Sequence, residues 1–374
     1  MNFDFSDDQK MLKDQAHKFL SEKCTTKNVR TVFEGKDHFD KALWKQIGEM
    51  GWTGTAIPEN YGGLGLGYLE LCVIAEEMGR ALAPVPFSST VYLFAEALLL
   101  AGSEEQKKRL LPKVASGEII GTFARAEGPG AVLPKNIRTT LKGGKLNGKK
   151  IAVVDGPIAD YCVVLARGSD EPGERGLQLA LVDLKGADVK RVECNTLDAS
   201  RGHSDITFEN ANAEALGKLG EGWSDASRVL DRAAILTAFE QVGGADVCLA
   251  MAKDYALNRY AFGRPIASFQ AIKHKLADMY VFNELARSNA YYGAWALHTG
   301  ARELPLAAAS ARVSATQAFD YASKENIQTH GGMGFTWAVD CHFYYKRSKE
   351  LGLALGPQRA WKDKLVSELE TSNA

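Results

Sequence analysis

The chain has 374 residues, of which 45% are hydrophobic and 24% are charged, and its formal net charge is -1. This length predicts two or three domains, and the balanced charge excludes the basic surface typical of nucleic-acid-binding proteins. No apolar run approaches the length of a membrane span, and the six cysteines lack the C-x-x-C spacing of zinc or redox sites. The composition therefore predicts a globular protein with reduced thiols, no metal site and no membrane partner.

The N-terminal third has the periodicity of α-helices. Ser6, followed by two acidic residues and Gln9, predicts a capped helix start. The acidic terminus lacks the basic and apolar regions of a targeting peptide, so a cytoplasmic location is expected. An apolar run from Tyr68 to about Ala83 predicts a long helix that the two following prolines end.

A glycine-rich loop at residues 57–67 precedes this helix. Glycines in such number also occur in nucleotide-binding loops, but here no strand precedes them and no Gly-Lys-Ser/Thr follows. The loop is therefore interpreted as a turn before a helix.

The pattern of apolar residues changes twice in the remaining chain. From about residue 119 to 215, short apolar or alternating runs separated by Gly, Asp and Asn predict an antiparallel β domain. Long helical patterns with few prolines then return. This order predicts an α+β protein in which a β domain (119–215) lies between helical domains at 1–118 and 216–374.

Two motifs in the last domain carry a family resemblance. The segment Arg259 to Met279 contains Phe-Gly-Arg-Pro between two helical patterns, and Gln328 to Phe335 reads Gln-Thr-His-Gly-Gly-Met-Gly-Phe. In this order and at this separation they resemble the flavin-binding signature of the acyl-CoA dehydrogenases. The similarity covers nearly the whole chain, including Pro58 to Leu66 and Glu76 to Arg80. It implies an acyl-CoA dehydrogenase-like fold whose C-terminal domain is a four-helix bundle.

The resemblance also implies FAD as cofactor and assigns residues to it. Arg259, Phe262 and Gln270 would reach the FAD of a neighbouring subunit, whereas Gln328 and the turn formed by Gly331 and Gly332 would approach its adenosine half. A guanidinium suits the charged diphosphate, and glycine permits close backbone approach. In the alternative interpretation, Arg259 only favours the dipole of a helix end, and Phe262 and Gln270 pack a turn.

The β domain departs from the family pattern at four positions. Where the family has hydroxyl side chains or a tryptophan that faces the flavin, this chain has Ala126, Val132, Ala152 and Val154. Each lost hydrogen bond is worth about 1 kcal/mol. The sequence therefore predicts that the flavin is held less tightly here, or mainly by a partner.

The catalytic base is also displaced from its usual place. The two positions where family members carry a base correspond to Ala233 and Leu355, and neither is acidic. Glu240 lies two turns beyond Ala233 on the same predicted helix face, in an apolar run that raises the pKa of a carboxylate. Glu240 is therefore the candidate base, with Asp340 a weaker one. The alternative is that Glu240 is paired inside the helix bundle or at a subunit contact.

Two functional hypotheses follow from the resemblance. The first is an FAD-dependent acyl-CoA dehydrogenase that introduces a 2,3 double bond into an acyl-CoA and is reoxidised by an electron-transferring flavoprotein. The second is a non-catalytic or half-site partner subunit of a heterotetramer, and a flavin monooxygenase on the same fold is a third option. The stretches Val154 to Tyr161 and Tyr345 to Ser348 resemble small subunits of bacterial pimeloyl-CoA and steroid side-chain acyl-CoA dehydrogenases. Either a homotetramer or an α2β2 heterotetramer is expected.

Overall fold

The computed structural model describes residues 5–372. Within them, helices occupy the first and last parts of the chain and strands occupy the middle, which confirms the α+β fold class. The helices are α1 (Asp7–Lys23), α2 (Thr26–Glu34), α3 (Lys41–Glu49), α4 (Tyr68–Arg80), α5 (Glu96–Ala101), α6 (Glu104–Ala115), α7 (Gly222–Asn258), α8 (Gln270–Thr299), α9 (Leu304–His330), α10 (Cys341–Ala354) and α11 (Gln358–Ser372).

Local side-chain and backbone chemistry sets the helix ends. The Ser6 hydroxyl accepts a hydrogen bond from the Gln9 N–H (3.2 Å), and Gln9 Oε1 accepts one from the Ser6 N–H (2.9 Å), which confirms the predicted cap of α1. Helix α4 begins at Tyr68 as predicted but ends at Arg80, before the prolines. The reason is Leu82, whose left-handed conformation (φ 52°) cannot continue a helix.

The middle strands form one seven-stranded sheet. The strands are β1 (Gly121–Ala124), β2 (Thr140–Lys142), β3 (Lys145–Val154), β4 (Tyr161–Arg167), β5 (Leu177–Asp183), β6 (Val189–Cys194) and β7 (His203–Leu216), with a separate hairpin of β8 (Tyr260–Ala261) and β9 (Arg264–Pro265). The pairings of β4 with β2, β2 with β3, β3 with β7, β7 with β5 and β5 with β4 close into a ring, and most are antiparallel as predicted. Strand β4 makes the two parallel pairings, a short one with β2 and a longer one with β1, which the long connection of residues 125–160 permits.

Contacts divide the chain into two compact units. The first unit comprises residues 1–29, 69–83 and 234–374, and its described part is helical apart from the β8–β9 hairpin. The second comprises residues 30–68 and 84–233 and contains the seven-stranded sheet with α3, α5 and α6. The three predicted domains, 1–118, 119–215 and 216–374, are a different division and stay a prediction.

In the first unit, α4 and α7 cross at two glycines. A Cβ on Gly79 would fall far inside van der Waals contact with the carbonyl oxygen of Glu240, and a Cβ on Gly243 would do the same at Glu76. The two backbones therefore approach as closely as glycine allows. The crossing fixes the positions of Glu76 and Glu240, two buried acids of this unit.

Helix α7 is long and apolar enough to cross a membrane by length and composition alone. However, 72% of its most apolar stretch is buried within the protein. Such burial is what the core helix of a folded domain shows.

Candidate functional site

Three helix ends of the first unit meet in one place. At the end of α7, the Tyr255 ring lies 4.2 Å from the ring of His330, the last residue of α9. Near the start of α8, Lys275 Nζ lies 2.6 Å from Glu325 Oε2 on α9. The β8–β9 hairpin after α7, the start of α8 and the turn after α9 therefore share one end of the helices. We call residues 259–270 and 328–335 the bundle end.

The bundle end exposes three polar side chains that have no hydrogen-bond or ion-pair partner within the described residues. Arg259, Gln270 and Gln328 are exposed, and within residues 5–372 their side chains form no hydrogen bond or ion pair. Phe262 stands at the hairpin tip with φ 52° and is 94% exposed, while the edge of its ring contacts Phe269 at a centroid distance of 6.2 Å. These groups are free to meet something outside the described chain.

The glycine turn after α9 completes the bundle end. Gly331 has a φ of 57° and a ψ of -139°, a conformation that side-chain-bearing residues avoid, and its N–H donates to the Gln328 carbonyl. A Cβ on Gly332 would meet no atom within 4 Å. Packing inside the chain therefore does not require glycine at position 332. The structure thus brings all six sequence-predicted cofactor residues to the bundle end.

The second unit contains the four positions at which polar side chains were expected. Ala152 lies in a bulge of β3 with φ 48°, and its N–H donates to Asp205 Oδ1 (3.1 Å). The Val154 carbonyl accepts a hydrogen bond from Thr122 Oγ1 (2.6 Å). These two backbone groups are therefore occupied by the protein, and Ala126, Val132, Ala152 and Val154 add no side-chain donor.

A buried ion pair anchors the segment that contains Ala126. Glu127 accepts hydrogen bonds from Lys150 Nζ (2.7 Å) and from the N–H groups of Arg138 (2.7 Å) and Thr139 (3.0 Å). Lys150 is fully buried and also donates to the Leu165 carbonyl (2.6 Å). Burial lowers the pKa of Lys150 to about 8, although the carboxylate of Glu127 acts in the opposite direction. Through these hydrogen bonds Glu127 holds the loop to the sheet.

Residues 6–118 match the N-terminal domain of acyl-CoA dehydrogenase, and residues 220–360 match the C-terminal domain of the same family. The chain belongs to the acyl-CoA dehydrogenase family. Its members oxidise acyl-CoA thioesters, and the chain is accordingly an oxidoreductase acting on acyl-CoA. The part between the two matches, residues 119–219, contains the seven-stranded sheet and all four positions that depart from the family pattern.

Relatives align with nearly the full length of this family member. Acyl-CoA dehydrogenase IpdE2 of Mycobacterium tuberculosis is 30% identical over 97% of the chain and 98% of its own length. A solved chain from the electron transferring flavoprotein of Acidaminococcus fermentans superposes with a TM-score of 0.90 at 30% identity, covering 99% of both chains. A chain of the ChsE4-ChsE5 complex of Mycobacterium tuberculosis superposes with a TM-score of 0.89 at 25% identity, covering 99% of both.

The structure gives the family-like segment Glu76 to Arg80 a packing role. Glu76 is fully buried and lies within 3.2 Å of Lys13, Arg80 and Arg287, while Asp246 pairs with Arg80 (3.1 Å) and Arg287 (2.5 Å). Burial opposes the charge on Arg287, but these carboxylates raise its pKa above the usual range. The network joins α1, α4, α7 and α8, and Gly79 allows the close crossing beside it.

The candidate base Glu240 lies far from the bundle end of this acyl-CoA dehydrogenase. It precedes Arg259 by 19 residues, about 28 Å along a helix. Its Oε1 lies 3.7 Å from Nη1 of Arg347 on α10, and both side chains are almost fully buried. This ion pair is the arrangement that the alternative interpretation of Glu240 describes, and the catalytic role stays a prediction. Ala233 and Leu355 are buried and apolar. Sequence reasoning missed Arg347, because nothing local to either residue indicates the pairing.

Members of the family are FAD flavoproteins, and the residues of this chain fit that cofactor unevenly. The bundle end offers a guanidinium, two amides and an open glycine turn, which suit the diphosphate and adenosine half. The four β-domain positions offer no side-chain donor to the ring half. No sequence motif singled out Arg125, the arginine that directly follows strand β1.

Proposed function

We propose that the chain is an FAD-dependent acyl-CoA dehydrogenase that introduces a 2,3 double bond into an acyl-CoA thioester. The bundle end is the observation that carries the proposal, because its polar side chains are exposed and unused within the described chain. A diphosphate brings two negative charges that an unpaired arginine can bind in a bidentate manner. Gly332 supports the same conclusion, since no atom of the described residues lies within 4 Å of the place a Cβ would take, so internal packing does not require this glycine.

Each residue then has a defined task. Arg259 neutralises diphosphate charge, and the amides of Gln270 and Gln328 hydrogen-bond to the nucleotide. FAD, when bound, supplies the acceptor for the hydride that leaves the β-carbon of the substrate. Glu240 is the candidate base for the α-proton, because it is the carboxylate on α7 that lies two turns beyond the apolar Ala233, on the same helix face. In this role Glu240 would have to release the guanidinium of Arg347.

Substitution of Arg259 tests the cofactor assignment. We expect Arg259→Gln to raise the Kd for FAD by about 10- to 100-fold, because it removes a charge-assisted contact worth about 1.5–3 kcal/mol. Titration of the apoprotein with FAD, followed by fluorescence, gives the Kd. Arg302→Gln is the matched control, since Arg302 is an exposed arginine of the same unit between α8 and α9. Equal affinities for both variants would remove Arg259 from the cofactor site.

A partner-subunit role is the second candidate function, and two observations favour it. The family base positions are apolar, and Glu240 is already engaged by Arg347. The ChsE4-ChsE5 structure is a complex of two different chains, so a fold of this kind occurs in heteromers. In this role the chain would donate its bundle end to a sister subunit that performs catalysis.

Partners and location follow from the same proposal. An electron-transferring flavoprotein is the expected electron acceptor, in keeping with the similarity to a chain from such a system. The exposed bundle end favours a tetramer, either homotetrameric or α2β2, in which one subunit covers Phe262 of another. Steroid side-chain or fatty acyl-CoA breakdown is the proposed context, in the cytoplasm.

A further inference from the structure

Arg125 directly follows strand β1 and lies along the edge of β3. Thr122 Oγ1 donates to the Val154 carbonyl (2.6 Å), and the Ile151 N–H donates to the Ala126 carbonyl (2.9 Å). The segment from Thr122 to Ala126 therefore runs alongside residues 151–154 in the opposite direction. This arrangement places Arg125 across from Ala152, whose methyl side chain is exposed to solvent.

Three other arginines of the second unit have acceptors or a carboxylate for their guanidinium groups, and Arg125 does not within the described residues. Arg167 donates to three backbone carbonyls, Arg191 to four, and Arg201 pairs with Asp155 at 2.8 Å. Within residues 5–372 the Arg125 side chain forms neither a hydrogen bond nor an ion pair. Glu127, two residues away, is occupied by Lys150 and two backbone N–H groups.

The protein surroundings of Arg125 disfavour the protonated form of its side chain. Burial lowers its pKa to about 10, and no carboxylate raises the pKa back. An arginine nevertheless stays protonated at neutral pH, so the folded chain retains a partly exposed cation that no acceptor or carboxylate among the described residues pairs. An anion that reaches this guanidinium would form a charge-assisted pair, and the described residues provide no such anion themselves.

We propose that Arg125 binds an anionic group, a phosphate or a carboxylate, of a ligand that docks at this edge of the β domain. The fork of N–H donors matches either group in a bidentate manner. The ligands that the proposed function requires, FAD and an acyl-CoA, both carry phosphates, and an acyl chain can add a carboxylate. The inference rests on that function only for the choice of these ligands. Arg125 is itself partly exposed and Ala152 is exposed, so a ligand can approach this edge from solvent.

The test compares Arg125→Met and Arg125→Lys with Arg138→Met in the full chain. Arg138 is the matched control because it is an exposed arginine of the same unit. Affinities are measured calorimetrically for FAD, for butyryl-CoA and for succinyl-CoA, which has the same chain length as butyryl-CoA but ends in a carboxylate. We expect Arg125→Met to weaken at least one ligand by about 10- to 100-fold. Arg125→Lys, which keeps the charge but not the fork, should weaken it less.

The ligands whose affinity falls in Arg125→Met identify the anion that Arg125 binds. Weakened FAD alone indicates the cofactor, weakening of both thioesters indicates the CoA phosphates, and weakened succinyl-CoA alone indicates an acyl carboxylate. If Arg125→Met binds all three ligands as the wild type does, the proposal is overturned, and Arg125→Lys decides in the same way should the Met variant not fold. A wild-type chain that binds no FAD would end the proposed function but leave the thioester arms of this test intact.

Discussion

Replacing Arg347 by methionine is expected to destabilise the chain by about 3–5 kcal/mol, because the carboxylate of Glu240 then loses its guanidinium while it stays buried. The two side chains are 1% and 5% exposed, so water cannot replace the lost partner. Arginine and methionine have similar stems, and little packing volume is lost. Urea unfolding followed by circular dichroism measures the change as a lower midpoint.

The double variant Arg347→Met/Glu240→Gln separates a structural pair from a catalytic base. It removes both charges, and we expect it to recover most of the stability that Arg347→Met loses. If Glu240 is the base, the double variant regains stability but does not oxidise acyl-CoA. If Glu240 serves only the pair, activity returns together with stability. A double variant no more stable than Arg347→Met would contradict the ion pair itself.

Replacing Gly79 by alanine is expected to cost about 3 kcal/mol, at the upper end of overpacking penalties. The new Cβ would overlap the carbonyl oxygen of Glu240, which is backbone in the middle of α7 and cannot rotate away as a side chain would. Relief requires α4 and α7 to separate, which would also strain the ion pairs of Glu76. The unfolding midpoint in urea measures the loss.

Gly352 offers the matched control for this substitution. It lies in α10, and a Cβ there would meet Thr316 Cγ2 at 3.7 Å, an ordinary contact. Because alanine favours a helix over glycine by about 1 kcal/mol, Gly352→Ala should be neutral or stabilising. Equal effects of the two substitutions would show that the close crossing of α4 and α7 does not limit the fold.

Local sequence patterns predicted the elements of this fold well where the cause is local. The capping box at Ser6, the strands between residues 119 and 215 and the glycine turn after α9 depend on neighbours in the chain. The end of α4 was misplaced because Leu82 adopts a left-handed conformation ahead of the prolines that were expected to stop the helix. The parallel pairing of β1 with β4 depends on the path of the intervening chain, which no local pattern records.

In the candidate site, too, features with a local cause could be predicted and features that depend on distant residues could not. The six predicted cofactor residues belong to two short motifs that the sequence shows directly, and helix packing brings those motifs to one end of the helices. The partner of Glu240 lies 107 residues later in the chain, a separation across which one sequence gives no pairing information. Arg125 escaped notice because its isolation becomes visible only when the partners of its neighbours are known.

The central claim, that this chain binds FAD as an acyl-CoA dehydrogenase, is tested most directly by the visible flavin absorbance of the purified chain per mole of protein. Our account predicts stoichiometric FAD in the chain expressed alone. Little or no flavin, restored only by co-expression with a sister subunit, would contradict it and make the chain a partner that completes another subunit's site.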